Sequence, residues 1–235
     1  MGFGSGMMAP AMYALAGSLW PDGGRRPFNA IYVAQNVGVS IGTALIGIVT
    51  LVHLTDVFIA NAAVHVFMLG FIVYFFRHWS GQLGHTADSS LSISPKIPFK
   101  QQYRLHALII ICGAFFISWL GYTQWQANVS VHIQDLGIGL PLYSVLWTIN
   151  GLLIVFAQPL IAFIIRRFHL SIKGQMTAGI IIFALSYIVL TQASVFSMFL
   201  VAMLILTIGE MFVWPAVPTI ANQLAPKGRE GSYQG

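Results

Sequence analysis

Of the six carboxylates in the chain, only one lies deep within an apolar stretch. Asp22, Asp56, Asp88, Asp135 and Glu230 fall in expected loops or at helix ends, whereas Glu210 sits inside the run 195–218. Insertion scales put a charged side chain at mid-bilayer about 2.5–3.5 kcal/mol uphill, so such residues mark functional positions. Two roles suit Glu210. It could face a central cavity, where a proton and a substrate cation compete for one group. It could instead tie two helices together through a hydrogen bond. His65, in the middle of another apolar run, could relay protons or simply bond a neighbouring helix.

Amides form a second group. Gln35 and Asn36 are adjacent in one apolar run, and Gln124 lies late in another. Asn150 and Gln158 are eight apart and so share one helix face. An amide in lipid needs a partner, so these point into a helix bundle or a wet cavity. Tyr122, Trp125, Tyr143 and Trp147 add aromatic surface nearby. Aromatics, amides and one acid together suit a lipophilic cation, partly through cation–π contacts. The alternative is helix-to-helix bonding for the amides and interfacial anchoring for Tyr143. Gly38, Gly42 and Gly47 form a stripe of small residues that would let helix backbones approach closely. Pro10, Pro159 and Pro215 fall within apolar runs and should kink them. Cys112 is the only cysteine and reads as a small buried hydrophobe.

Other chemistry is missing from the sequence. There is no Walker loop, nucleophile elbow, paired carboxylate site or metal-ligand spacing. The expectation is a chain that is not an enzyme and binds neither cofactor nor metal.

These residues need elements to hold them. The chain has 235 residues, 57% hydrophobic and 7% charged. A soluble domain carries about 25% charge, so this composition must face lipid. Seven stretches approach the length of about 20 residues that spans a bilayer: 2–19, 28–52, 56–76, 105–128, 140–165, 174–192 and 195–218. Backbone groups in lipid must be satisfied within their own segment, so these are expected helices. The fold class is an all-α, polytopic transmembrane bundle.

The positions of the cations orient it. Arg25 and Arg26 share one loop. Arg77, Lys96, Lys100 and Arg104 surround a second, Arg166, Arg167 and Lys173 a third, and Lys227 and Arg229 lie in the tail. The intervening loops have none. This alternation puts the basic loops and the C-terminus in the cytoplasm. It also spreads the charge too thinly for a nucleic-acid face. The stretch 81–103, rich in Ser, Gly and Pro, reads as a cytoplasmic linker between 1–80, with three helices, and 104–235, with four.

Several stretches in this order resemble the major facilitator superfamily. Pro21 to Ala30, followed by Asn36-Val37-Gly38-Val39-Ser40-Ile41-Gly42, resembles the family's fourth loop and fifth helix. Leu142-Tyr143-Ser144 through Asn150-Gly151 to Gln158-Pro159-Leu160 resembles its eighth helix. Gly209-Glu210 to Pro215, then Ala225-Pro226 and Arg229 to Gly235, resembles its tenth helix and the following loop. The resemblance implies a fragment covering roughly helices four to ten of twelve, with the remainder of the polypeptide as its partner. It further implies secondary transport of a small molecule in the plasma membrane. Within the family the likeness is to bacterial multidrug efflux antiporters, with protons as coupling ion. The fifth-helix antiporter motif departs from the family pattern: Thr43 follows Gly42 where proline is usual, and Ile46-Gly47 replaces a glycine pair. Uptake of a sugar, peptide or other nutrient therefore stays open. A seven-helix receptor is a more distant reading. A retinal protein is disfavoured because every lysine lies in or beside a loop.

Overall fold

The computed structural model describes residues 2–20, 24–49, 54–87, 102–226 and 230–234, and the described residues are overwhelmingly helical. The helices are α1 (Gly2–Leu19), α2 (Arg26–Val49), α3 (Leu54–Ala87), α4 (Gln102–Gln124), α5 (Ser130–Asp135), α6 (Leu140–Arg167), α7 (Ile172–Leu190), α8 (Phe196–Val213), α9 (Ala216–Leu224) and α10 (Glu230–Gln234). A π-helical turn, Trp125–Val129, joins α4 to α5 without a break. Each expected span therefore has its helix. Among the described residues, five segments are long and apolar enough to cross a membrane: Phe58–Phe75, Tyr103–Asp135, Leu140–Arg167, Ile172–Leu190 and Phe196–Leu224. α1 and α2 lie where spans were expected but fall outside that set.

Helix ends follow local chemistry. Pro141 opens α6, where its missing N–H costs nothing. Arg166 and Arg167 close that helix, where its dipole favours cations. The turn into α7 places His169 at φ 48°, and Leu170 N–H reaches back to Ile165 O at 3.0 Å. That is a left-handed helix stop, made here without glycine. Ser171 then caps α7 by accepting from Gly174 N–H at 3.1 Å. Pro10 and Pro159 are accommodated inside α1 and α6. Pro215 instead breaks its span, with α8 ending at Val213 and α9 starting at Ala216.

α3 runs on to Ala87, past the expected end of the first unit at residue 80. No proline lies between Leu54 and Pro95, so none stops the helix sooner. Residues 88–101 of the expected linker lie outside the described residues, and 102–103 already belong to α4.

α6 and α8 are the spine of the bundle. α2 packs along α6, α7 packs along α8, and α6 and α8 touch each other. One core cluster gathers Trp125, Ile133, Leu146, Phe199, Met203 and Leu206. A second joins Tyr32 of α2 to Ile154 and Ile161 of α6 and to Met211 and Phe212. The close approaches occur at glycines. A Cβ on Gly151 of α6 would meet Asn36 O of α2 at 2.6 Å, and one on Gly179 of α7 would meet Gly209 O of α8 at 2.9 Å. Ser186 Oγ–H fastens the second pair by donating to Ala202 O at 2.7 Å.

A carboxylate in an aromatic cavity

Helical periodicity builds the site. On α2, Tyr32, Gln35, Asn36, Val39 and Thr43 recur at three- and four-residue steps and form one face. On α4 the same rule aligns Leu108, Ile111, Cys112, Phe115, Trp119 and Tyr122, and Gln126 of the π turn continues the row. Trp147 and Asn150 come from α6, Glu210 from α8, and Trp214, Val217, Pro218 and Ala221 from the bend and α9. Ala9 and Tyr13 of α1 complete the wall with Tyr233 and Gln234 of α10. Together they enclose a cavity of about 820 Å³, ample for a drug-sized molecule.

Glu210 is the acid of this wall, and its side chain is 1% exposed. Asn150 Nδ2 donates to Glu210 Oε2 at 3.1 Å and to Thr207 Oγ1 at 2.8 Å. Thr207 in turn donates to Met203 O at 2.7 Å. The Tyr32 hydroxyl approaches Oε2 at 3.4 Å, and Tyr122 interacts electrostatically from α4. Oε1 has no hydrogen-bond partner among the described residues, and Glu210 forms no ion pair among them. The carboxyl group therefore has one tethered oxygen and one buried oxygen without a hydrogen-bond partner among the described residues. Beside it, Trp214 stacks on Trp119 with ring centroids 5.5 Å apart and planes 10° from parallel. Phe115 and Tyr122 meet Trp214 edge-on or tilted at 5.2 and 5.4 Å. Trp214 lies one helical turn beyond Glu210, so this aromatic cluster and the acid share one cavity wall.

The structure places Glu210, Gln35, Asn36, Tyr122 and Asn150 in the lining of one cavity. It places three other expected members elsewhere. Gln124 is exposed and bonds Leu120 O and Asn128, because two residues beyond Tyr122 is about 200° around the helix. Trp125 is completely buried in the apolar core, and Tyr143 OH donates to its carbonyl at 2.8 Å. Gln158 is 4% exposed and lies two turns beyond Asn150, outside the cavity lining. Neither of its amide atoms has a hydrogen-bond partner among the described residues. His65 is exposed on α3 and bonds Asn61 O at 2.8 Å, one turn back on its own helix. It is not part of the cavity wall.

The glycine stripe also differs from expectation. Added Cβ atoms on Gly38 and Gly42 would meet nothing within 4 Å, and Gly151 instead supplies the close approach between α2 and α6. Gly47 lies in α2 with surroundings outside the described residues. Cys112 is exposed on the cavity side, not buried in the core. Sequence reasoning missed the roles of Tyr32, Thr207, Trp119 and Trp214. Their signal was present as helical spacing from residues already singled out. Arg25 was read only as a marker of loop orientation. Among the described residues no group of three or more His, Cys, Asp or Glu side chains could hold a metal ion.

The sequence model of the Major Facilitator Superfamily matches residues 1–235. The chain is 52% identical over 236 residues to the uncharacterized MFS-type transporter YttB of Bacillus subtilis (strain 168), covering all of this chain and 58% of that protein. It is 22% identical over 213 residues to the uncharacterized MFS-type transporter YqjV of the same organism, covering 88% of this chain and 50% of that protein. The chain thus spans about half the length of the curated relatives it matches. No solved structure matches it. The helical bundle, its apolar spans and these likenesses agree, and the chain belongs to the Major Facilitator Superfamily.

Proposed function

We propose that this chain carries the substrate cavity of a secondary active transporter that exports lipophilic or cationic small molecules in exchange for protons. The supporting observation is the buried Glu210 carboxyl group, with one oxygen lacking a hydrogen-bond partner among the described residues, in the same cavity wall as the Trp119–Trp214 stack. A proton and an organic cation are alternative occupants of one negative site. Binding either one displaces the other, which is sufficient to couple their fluxes. Alternating access then exposes the occupied site to one side of the membrane at a time.

In this reading the protein lies in the plasma membrane with its basic loops and C-terminus cytoplasmic. Residues 1–80 belong to one six-helix half and 104–235 to the other, with the linker between them. The remaining helices of the polypeptide complete the cavity. Glu210→Gln in the full-length protein tests the idea. Dye efflux from everted membrane vesicles should lose its dependence on the pH gradient while the amount of protein in the membrane is unchanged. Efflux that keeps its full pH dependence removes Glu210 from the mechanism.

Nutrient uptake by the same scaffold is the second reading, favoured by the altered glycine–proline motif at Gly42-Thr43. Accumulation of a sugar or peptide by right-side-out vesicles, without dye efflux, distinguishes the two.

A further inference from the structure

We infer that Arg25 is a latch that holds the loop end of the cavity shut by capping the broken helix beside Glu210. Arg25 sits at the start of α2, where a helix dipole disfavours a cation. A residue placed only for its own helix would not be an arginine. Its guanidinium instead crosses to the other group of helices. One terminal nitrogen donates to the Gln175 side-chain oxygen at the start of α7. The other donates to Met211 O at 2.6 Å and to Phe212 O at 3.4 Å in the last turn of α8.

Each partner is prepared for this contact. Gln175 Nε2 donates to Leu170 O at 2.8 Å, which turns its oxygen toward Arg25. Asn29 Oδ1 accepts from Arg25 Nε at 3.0 Å and holds the guanidinium from below. Met211 O is the carbonyl that residue 215 would ordinarily satisfy. Residue 215 is proline and has no N–H to give. The preceding carbonyl, Glu210 O, keeps its bond from Trp214 N–H at 2.9 Å. The break at Pro215 thus leaves Met211 O without its helical donor at the negative end of a helix, and Arg25 fills that place from across the bundle.

The partners of this cation are two side-chain amides and two backbone carbonyls, so no carboxylate titration can release it. Burial lowers the guanidinium to about 10, which leaves it charged at neutral pH. Release must come from movement of α8, and Met211 is the residue next to Glu210. Occupancy of the Glu210 carboxyl group and opening of the loop end are thereby mechanically joined. The latch rests on the transport reading for what its release accomplishes, but not for its existence.

The test uses spin labels on the full-length protein with Cys112→Ala, at Arg26→Cys and Lys173→Cys, both exposed beside the latch. Pulsed dipolar spectroscopy should show one dominant short distance in this background. Arg25→Gln should move the population toward a longer distance by about tenfold, the size expected from losing a charge-assisted hydrogen bond. Arg25→Lys should move it part of the way, because an ammonium cannot fork to both helices. Pro215→Ala keeps Arg25 but returns an N–H to Met211 O, and should also loosen the latch. Unchanged distances in Arg25→Gln and Pro215→Ala would overturn the inference. Because none of these readouts measures transport, loss of the Glu210 reading would leave the result intact.

Discussion

Asn150 of α6 and Glu210 of α8 are joined at 3.1 Å through the amide Nδ2 and the carboxylate Oε2. The same nitrogen donates to Thr207, one helical turn before Glu210. A single amide thus ties α6 to α8 and holds one oxygen of the acid, leaving Oε1 without a hydrogen-bond partner among the described residues. Replacing Asn150 by Leu should lower the thermal midpoint of the detergent-solubilised protein, in keeping with a loss of about 1 kcal/mol. It should also weaken substrate binding, because the carboxylate is no longer aimed. Differential scanning fluorimetry and ligand titration on the same preparation check both effects. A variant of unchanged stability would show that Asn150 is not a structural tie.

Gly151 lies beside that tie, and a Cβ there would meet Asn36 O at 2.6 Å and the Ser40 hydroxyl. A serine can turn away, whereas a backbone carbonyl cannot. Gly151→Ala should therefore destabilise the packing of α2 on α6 by about 1–3 kcal/mol, and adding Ser40→Ala should recover only part of that loss. Full recovery in the double variant would mean that the hydroxyl alone sets the spacing.

Trp214 touches Phe115, Trp119, Tyr122 and Phe183. Trp214→Ala removes the face on which a flat cation would lie. Affinity for an aromatic cation should fall by about 2- to 30-fold, matching roughly 0.5–2 kcal/mol for a cation–π contact. A neutral isostere of the same ligand should lose less. Equal losses for both ligands would make the contribution one of shape, not charge.

Gln158 gives the opposite kind of prediction. Its amide is buried without a partner among the described residues, so it carries the cost of desolvation and no visible return. Gln158→Leu should leave transport intact and match or raise the thermal midpoint. Lost transport at normal stability would instead make Gln158 part of the pathway.

Periodicity explains which features could be read from the sequence. Apolar runs located the long helices, because bilayer thickness constrains length and composition strongly. Glu210 stood out because an acid inside an apolar run is costly wherever it points. The amides did not stand out in that way. Gln124 and Trp125 were grouped with Tyr122 by nearness in sequence, although each residue turns the helix by about 100°. Gly38 and Gly42 had the spacing of a packing stripe, but spacing does not say which face meets a neighbour. Arg25 was hidden for a different reason. Its partners are backbone carbonyls and a distant glutamine, and a proline 190 residues away creates the vacancy it fills. No local pattern encodes such a contact.

The shared use of Glu210 by proton and cation is tested most directly by counting protons as ligand binds. The full-length protein, purified in weakly buffered detergent solution, is titrated with a lipophilic cation while pH is recorded. Binding should release protons from the wild-type protein, and the release should vanish in Glu210→Gln. Equal release from both proteins, or none from the wild type despite tight binding, would contradict the account.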